Sequence, residues 1–346
     1  MWLANGIYYD LLLLENQLPF FVLEKLYMFA FNDSSGRNHR EEGKQVEEHK
    51  KDLMKQDAPF VKLSLNYFKS HDEKKQSVVG EELRHFTDLL RYLFCPQDME
   101  RHWTRKMEQW RREEGCMGSS KNKKRRESST QFCATKLDDA RLEFKAKDDR
   151  RLLDIRLPGC SGRFPCCALS CLVPCLPCLT CLICFPSLTC LLACFGYPMH
   201  IFKFPQLVID RNTEAIFRNL MTLEQCHYPS KTYICSYVLL LDRLIDTEED
   251  VDLLVDKKVI VHHLGCNAEV ATLINKLGDQ IVATTPSYFD DITQKLNDHC
   301  EFPLNQILAI LKREYFPNIF RGTATIVGLI VLGFTLWDFI RSTNNK

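Results

Sequence analysis

The sequence lacks an excess of charge of either sign. Its 45 Lys and Arg residues are matched by 45 Asp and Glu residues, which leaves a formal net charge of zero. A chain without net charge has no overall electrostatic attraction to nucleic acid, so we expect no nucleic-acid partner. The first residues also lack the basic segment and small-residue cleavage site of a secretory signal peptide, so we expect no cleaved leader.

Motifs of the common catalytic classes are absent too. The chain contains no G-x-S-x-G turn, no phosphate-binding glycine loop and no H-E-x-x-H zinc motif. In the short cluster of His262, His263 and Cys266, a helix would bring the first and last residue to one face, where they could bind zinc. No further ligand follows at a fixed spacing, so ordinary helix-end residues are the favoured interpretation. We expect no catalytic residue, no cofactor and no metal ion; an enzyme on a membrane surface with a Cys/His site is the alternative.

The longest apolar run is at the C-terminal end. Residues 322–340 contain one charged side chain, Asp338, and lie between Arg321 and Arg341. As a helix, this run would be roughly 28 Å long, close to the ~30 Å hydrocarbon core of a bilayer. A buried core helix is the alternative, but such a helix would normally show a polar face. We therefore predict a single transmembrane helix at 322–340, a lipid-bilayer partner and a plasma-membrane location. The predicted anchor residues are Ile326, Val327, Leu329, Ile330, Val331, Leu332, Phe334, Leu336 and Trp337.

Ten of the 17 cysteines fall within the low-complexity stretch 159–198. Three hypotheses are open for this stretch. Cys175, Cys178, Cys181 and Cys184 are spaced like an iron–sulfur run, but the wider final gap of such a run is missing. Lipid-modified or membrane-dipping cysteines are the second hypothesis, although prolines interrupt every piece that is long enough to span. We favour the third, a retained intron or faulty gene model, and predict a poorly ordered insertion.

A dense apolar segment lies close to the start of the chain. Residues 10–31 read DLLLLENQLPFFVLEKLYMFAF, and Pro19 suits the first turn of a second helix. Both faces of these two short helices are apolar, so we expect them to be buried. The polar triplet Glu15, Asn16 and Gln17 then needs hydrogen-bond partners. We expect it to cap the break and bond backbone groups, and a ligand site is the alternative.

This segment resembles the signature of a large plant family of unknown biochemical function, DUF247 or UPF0481. The matching signature residues are Glu15, Asn16, Gln17, Leu18, Pro19, Phe20 and Phe21. Further matching strings follow in order, among them HFTDLLRYLF, LLDIRL and LVIDRNTEAIFRNLMTLEQC. The resemblance implies a single C-terminal transmembrane helix and no known activity, and some members are associated with self-incompatibility and reproductive recognition in plants. Members usually carry a longer segment before the signature, so a truncated, non-functional copy is a further alternative.

Elsewhere the pattern favours helices with a small amount of sheet. Apolar residues at three- and four-residue steps predict amphipathic helices at 81–94 and 213–226. The alternation in 142–146 predicts a strand, with 152–157 as its hairpin partner, and 207–209 is another strand candidate. Helix starts are marked by a capping box between Thr247 and Asp250 and by an expected cap at Asn267.

The predicted fold class is mainly α: a helical body with minor β structure plus one C-terminal transmembrane helix. The predicted organisation is a helical N-terminal part of the family domain at 1–114, a basic linker at 115–130, the remainder of that domain at 131–158 and 199–318, the insertion at 159–198 and the membrane helix at 322–340. The basic run of the linker is expected to be solvated, with anionic lipid and nucleic acid as alternatives. We expect a membrane-anchored, non-enzymatic recognition or signalling module with a protein partner.

Overall fold

A computed structural model describes the chain in nine segments. These are residues 2–35, 59–68, 83–96, 98–116, 132–147, 151–155, 200–282, 286–315 and 319–344. The described segments are mainly helical with a few short strands, which confirms that part of the predicted fold class. The predicted insertion at 159–198, with the cysteines of the iron–sulfur alternative, and residues 117–130 of the basic linker lie outside them.

The helices divide into an N-terminal group, a central group and a C-terminal group. The N-terminal group is α1 (Trp2–Asp10), α2 (Phe20–Ser35), α3 (Pro59–Phe68), α4 (Phe86–Phe94) and α5 (Met99–Cys116). The central group is α6 (Ala134–Asp139), α7 (Thr213–His227), α8 (Tyr233–Leu244), α9 (Glu248–Asp256) and α10 (Asn267–Gly278). The C-terminal group is α11 (Asp290–Glu301), α12 (Pro303–Tyr315) and α13 (Ile319–Asn344).

Two pairs of short parallel strands lie beside the helices. Strand β1 (Leu142–Lys147) pairs with β2 (His200–Pro205), and β3 (Leu207–Ile209) pairs with β4 (Ile260–His262). The predicted hairpin of β1 with 152–157 is wrong. Residues 151–155 form a turn, in which Leu153 N donates to Phe94 O at 3.2 Å. A parallel partner cannot be reached through a tight turn, so the local pattern could not identify it.

Helix α8 lies at the centre of the core. It is buried on almost every side because apolar side chains occur all around it, as expected for a helix enclosed by other elements. The capping box of Thr247 and Asp250 is present at the start of α9, as predicted. The predicted cap at Asn267 is wrong, because Cys266 occupies the N-cap position of α10.

The hydroxyl of Tyr237 in α8 is a buried polar group without a hydrogen-bond partner among the described residues. Its ring packs against Phe204, Phe217 and Phe289, with centroids 6.1, 6.2 and 6.5 Å away. An unpaired buried polar group costs about 1–3 kcal/mol, so Tyr237→Phe should stabilise the protein by about 1 kcal/mol. Urea unfolding measures this.

Tyr9→Phe is the matched control for that substitution. The Tyr9 hydroxyl donates to Asp210 Oδ2 at 2.9 Å, so its removal should destabilise the protein by about 1 kcal/mol. A lower unfolding midpoint for Tyr237→Phe than for the unmodified protein would contradict the assignment of an unpaired hydroxyl.

The C-terminal run is a helix, α13, but the prediction of a transmembrane helix at 322–340 is wrong. Across the part of the chain that the structure describes, no helix combines the length and the apolar character needed to cross a bilayer. Within this run, Asp338 places a charge, and Thr323, Thr325 and Thr335 place hydroxyl groups, among the apolar positions. The plasma-membrane location stays a prediction.

The predicted anchor residues lie along α13. The structure leaves exposed those whose side chains it describes, namely Val327, Ile330, Val331, Leu332, Phe334, Leu336 and Trp337. The side chains of Ile326 and Leu329 are outside the described set.

Candidate functional site: a buried ion pair beneath the signature turn

Asn16 and Gln17 of the polar triplet hold the turn between α1 and α2, whereas Glu15 is exposed. Gln17 Nε2 donates to Leu11 O at 2.7 Å and to Leu13 O at 2.8 Å, and its Oε1 accepts from Thr87 N at 3.3 Å. Asn16 Nδ2 donates to Asp10 O at 3.2 Å. Both side chains therefore bond backbone groups, and Gln17 connects the turn to the first residues of α4.

The apolar side chains of the signature differ in burial. Phe20 is buried, and its N–H donates to Arg84 O at 2.7 Å, just before α4. Its ring packs on Phe60 of α3 and on Phe86 of α4, with centroids 5.1 and 5.8 Å away. Leu18 and Phe21 point outward instead and are exposed.

An ion pair joins α4 to α7 beneath this turn. Arg91 Nε donates to Glu224 Oε1 at 2.8 Å, and the Glu224 side chain is fully buried. Glu224 also accepts from Tyr233 N and Cys235 N, both at 3.0 Å, in the first turn of α8. The pair therefore connects α4, α7 and α8, and we call this contact the junction.

The Arg91 guanidinium is enclosed by aromatic rings. It lies 4.4 Å from the ring centroid of Tyr228 and 5.2 Å from that of Tyr233, and its Nη2 donates to Lys231 O at 2.8 Å. Burial raises the pKa of Glu224, and the opposite charge of Arg91 opposes this shift. Both carboxylate oxygens accept hydrogen bonds, which fits an ionised carboxylate next to a permanently charged guanidinium.

Where this junction reaches the surface, five side chains form what we call the histidine cluster: Arg84, His85, Asp88, His227 and Tyr228. Tyr228 Oη donates to Asp88 Oδ2 at 3.0 Å, and His85 Nδ1 accepts from Asp88 N at 3.3 Å as the N-cap of α4. Arg84 Nη1 lies 3.1 Å from His227 Nδ1, and the two imidazole centroids are 6.2 Å apart. Burial, and then the charge of Asp88, raises the pKa of Tyr228 to about 12.

A second buried carboxylate joins α6 to α9. Asp250 Oδ1 accepts from Thr135 N at 2.8 Å and from Thr135 Oγ1 at 2.9 Å, while Oδ2 accepts from Thr247 N at 3.1 Å. Burial alone would raise the pKa of Asp250, but these hydrogen bonds outweigh burial, and the pKa is lowered. The carboxylate is therefore ionised and serves as a structural acceptor.

His262 and Cys266, the pair of the zinc alternative, do not share a helix face. His262 ends β4, whereas Cys266 precedes α10. His262 Nε2 lies 2.8 Å from Asn267 Oδ1, and Asn267 Nδ2 donates to Asp252 Oδ1 at 3.2 Å. Among the described residues, His, Cys, Asp and Glu form no group of three or more that could hold a metal ion.

The thiols of the buried Cys235 and the half-buried Cys300 are poor nucleophiles. Burial raises the pKa of Cys235 to about 12 and that of Cys300 to about 11. Both are therefore protonated at neutral pH, whereas a nucleophilic cysteine acts as a thiolate. Cys226 and Cys266 are exposed.

Exposed apolar side chains lie on α1, α2 and α3, and we call the surface of these three helices the N-terminal layer. The expected burial of both faces of residues 10–31 is wrong: Phe20 is buried, whereas side chains on the other face of α2 remain exposed. Phe21 is 59% exposed and Phe29 72% exposed. Other exposed members of this surface are Ile7, Leu18, Leu26, Leu63 and Tyr67.

The sequence contained one usable signal for the junction. Arg91 and Glu224 lie within two of the strings that resemble the family, and Glu224 follows Phe217, Leu220 and Met221 on the apolar face of its helix. A charged residue on the core side of a helix needs a buried partner, because a lone buried charge is costly. The pairing itself joins residues 133 positions apart, so no local pattern could reveal it.

Comparison with known proteins supports the resemblance. The DUF247 family, described as plant protein of unknown function, matches residues 1–334. The chain is 23% identical to UPF0481 protein At3g47200 of Arabidopsis thaliana over 338 residues, which cover 96% of the chain and 59% of that relative. It is 30% identical to putative UPF0481 protein At3g02645 of Arabidopsis thaliana over 96 residues, 28% of the chain and 18% of that relative. No solved structure matches the chain.

Proposed function

This chain belongs to the DUF247 family of plant proteins of unknown function, and from this premise we propose that it is a non-enzymatic recognition module whose N-terminal layer binds a protein partner. The observation that carries the proposal is the exposed apolar face of α1–α3. Contiguous exposed apolar side chains on a folded protein mark interaction sites more often than scattered ones do. The partner should present a complementary apolar surface.

The composition of this face fits a protein interface. Aromatic residues are enriched at the centres of protein interfaces, and Phe21, Phe29 and Tyr67 are exposed here. The same segment is apolar on both sides, a pattern typical of a helix that is covered on both sides. A partner protein supplies the missing cover.

The side chains of Arg91, Glu224 and Asp250 favour a structural role over catalysis. Glu224 and Asp250 accept hydrogen bonds from the first turns of helices, and Arg91 is enclosed by Tyr228 and Tyr233. Each of these groups stabilises the contact between helices. The proposal therefore places recognition on the apolar face and support for that face in the junction.

Substituting two exposed phenylalanines tests the proposal. Phe21→Ser together with Phe29→Ser should remove most reproducible neighbours in proximity labelling, because hot-spot aromatics carry much of the binding energy of an interface. Folding should be little affected, since both side chains are exposed.

Val282→Ser is the matched control, because Val282 is 75% exposed and lies far along the chain from the N-terminal layer. The proposal predicts that this control keeps the neighbours of the unmodified protein. Identical neighbours for the double variant and for the unmodified protein would contradict it.

A further inference from the structure

Both imidazoles of the histidine cluster act as hydrogen-bond acceptors. His85 Nδ1 accepts the N–H of Asp88 at the start of α4. His227 Nδ1 lies 3.1 Å from Arg84 Nη1. Because a guanidinium has only donors, this contact is a hydrogen bond only when His227 Nδ1 carries no proton. A proton on either Nδ1 breaks the bond that this nitrogen makes.

The charged and titratable groups around the two imidazole rings lie on three parts of the chain. Arg84 faces both rings from the segment before α4, and α4 itself contributes Asp88 and Arg91. Helix α7 contributes Glu224, His227 and Tyr228. Glu224 is already paired with Arg91, and Asp88 Oδ2 already accepts from Tyr228 Oη and from Arg84 N. The charge of Asp88 favours an imidazolium at His85, and the charges of Arg84 and of the second imidazole oppose it.

The pKa of His85 agrees with this arrangement. Burial lowers the pKa of His85, His227 and Arg84 lower it further, and Asp88 opposes these effects. A histidine with a lowered pKa in the folded state binds fewer protons there than in the open state. Its contribution is therefore present above the open-state pKa of about 6.5 and is lost as the pH falls from there through the lowered folded-state pKa.

The same short segment carries the attachment of the signature turn. Arg84 O accepts from Phe20 N at 2.7 Å, and Thr87 N donates to Gln17 Oε1 at 3.3 Å. Thr87 Oγ1 donates to Leu12 O at 3.0 Å. Residues 84–88 thus connect the histidine cluster to the turn and to the start of α2.

We propose that His85 and His227 form an acid-sensitive switch, in which protonation of the two rings releases the signature turn and the start of α2 from α4. The switch deepens the proposed function, because it controls the position of the N-terminal layer. Its test needs no partner, so it can fail while the recognition proposal stands, and the reverse also holds.

Hydrogen exchange of the full-length protein tests the switch. After correction for the intrinsic pH dependence of exchange, peptides covering residues 16–30 should exchange about 3-fold faster or more at about pH 5.5 than at about pH 7.5. The double variant His85→Asn with His227→Gln should show no such difference. Asn remains a good helix N-cap, and Gln still offers Arg84 an acceptor, but neither titrates.

His263→Gln is the control, because His263 is exposed and lies outside the cluster. This variant should keep the full acid response at residues 16–30. The half-buried His299 contacts Ala140 O through its Nε2 at 2.9 Å, so a response caused by His299 would appear in α11 and not in the signature turn. Equal exchange of the unmodified protein at both pH values would overturn the proposal, and so would an undiminished acid response in the double variant.

Discussion

Arg91→Met should destabilise the protein by about 3–5 kcal/mol, because it leaves the buried carboxylate of Glu224 without its charge partner. The expected loss exceeds that of an ordinary surface substitution for two reasons. Glu224 is fully buried, and the methionine side chain offers no donor to replace Arg91 Nε. Urea unfolding of the two proteins at neutral pH measures the difference in the free energy of unfolding.

Helix α7, which carries Glu224, provides a matched control for this prediction. Arg218 Nη2 lies 2.7 Å from Glu214 Oε1 in α7, but both side chains are partly exposed. Partly exposed pairs four residues apart contribute about 0.3–0.5 kcal/mol, so Arg218→Met should have a small effect. A loss for Arg91→Met no larger than that for Arg218→Met would contradict the structural role of the buried pair.

A double substitution separates the lost packing from the stranded charge. Arg91→Met combined with Glu224→Gln removes the buried negative charge together with its partner. Since breaking one half of a buried pair costs more than replacing both halves, the double variant should recover part of the stability lost by Arg91→Met. A double variant less stable than Arg91→Met alone would show that packing, rather than charge, determines the effect.

Asp250→Asn should be the second large effect, with a loss of about 2–3 kcal/mol at neutral pH. The carboxylate accepts from Thr135 and Thr247, and its two oxygens face backbone N–H groups on both sides. Asparagine keeps one acceptor but turns an amide donor toward one set of these N–H groups. The capping of α9 and the contact with α6 are then weakened together.

The pH dependence of this second effect has a definite sign. The folded-state pKa of Asp250 is lowered, so its contribution is present above the unfolded-state pKa of about 3.9. The contribution is lost as the pH falls through the folded-state pKa. The difference between Asp250→Asn and the unmodified protein should therefore be largest near neutral pH and should shrink in acid.

Glu248→Gln in the same first turn of α9 is the control, because Glu248 is exposed. It should unfold close to the unmodified protein at every pH. An Asp250→Asn difference that stays constant from neutral pH into acid would contradict the assignment of an ionised, hydrogen-bonded carboxylate.

Local chemistry could be predicted from the sequence where the partners are close along the chain. The capping box of Thr247 and Asp250 needs residues only three apart, and the helical pattern of residues 213–226 repeats every three to four residues. Both appear in the structure as predicted. The second role of Asp250, its bonds to Thr135, joins residues 115 positions apart and has no local signal.

Contacts between residues far apart along the chain explain the other differences between the predictions and the structure. Strand β1 takes β2 as a parallel partner, and Arg91 takes Glu224, because the tertiary fold brings these segments together. The prediction of burial at the N-terminus was wrong for a related reason. An apolar face shows that a helix needs cover, but it does not show which surface provides that cover.

Site-specific photo-crosslinking in plant tissue tests the central claim most directly. A photoreactive amino acid placed at position 29, and separately at position 21, should crosslink to the same protein, because both side chains belong to the exposed face of the N-terminal layer. The same amino acid at position 282 should not crosslink to that protein. If positions 21 and 29 give no shared crosslinked protein, or if position 282 captures it equally well, the N-terminal layer is not the recognition surface.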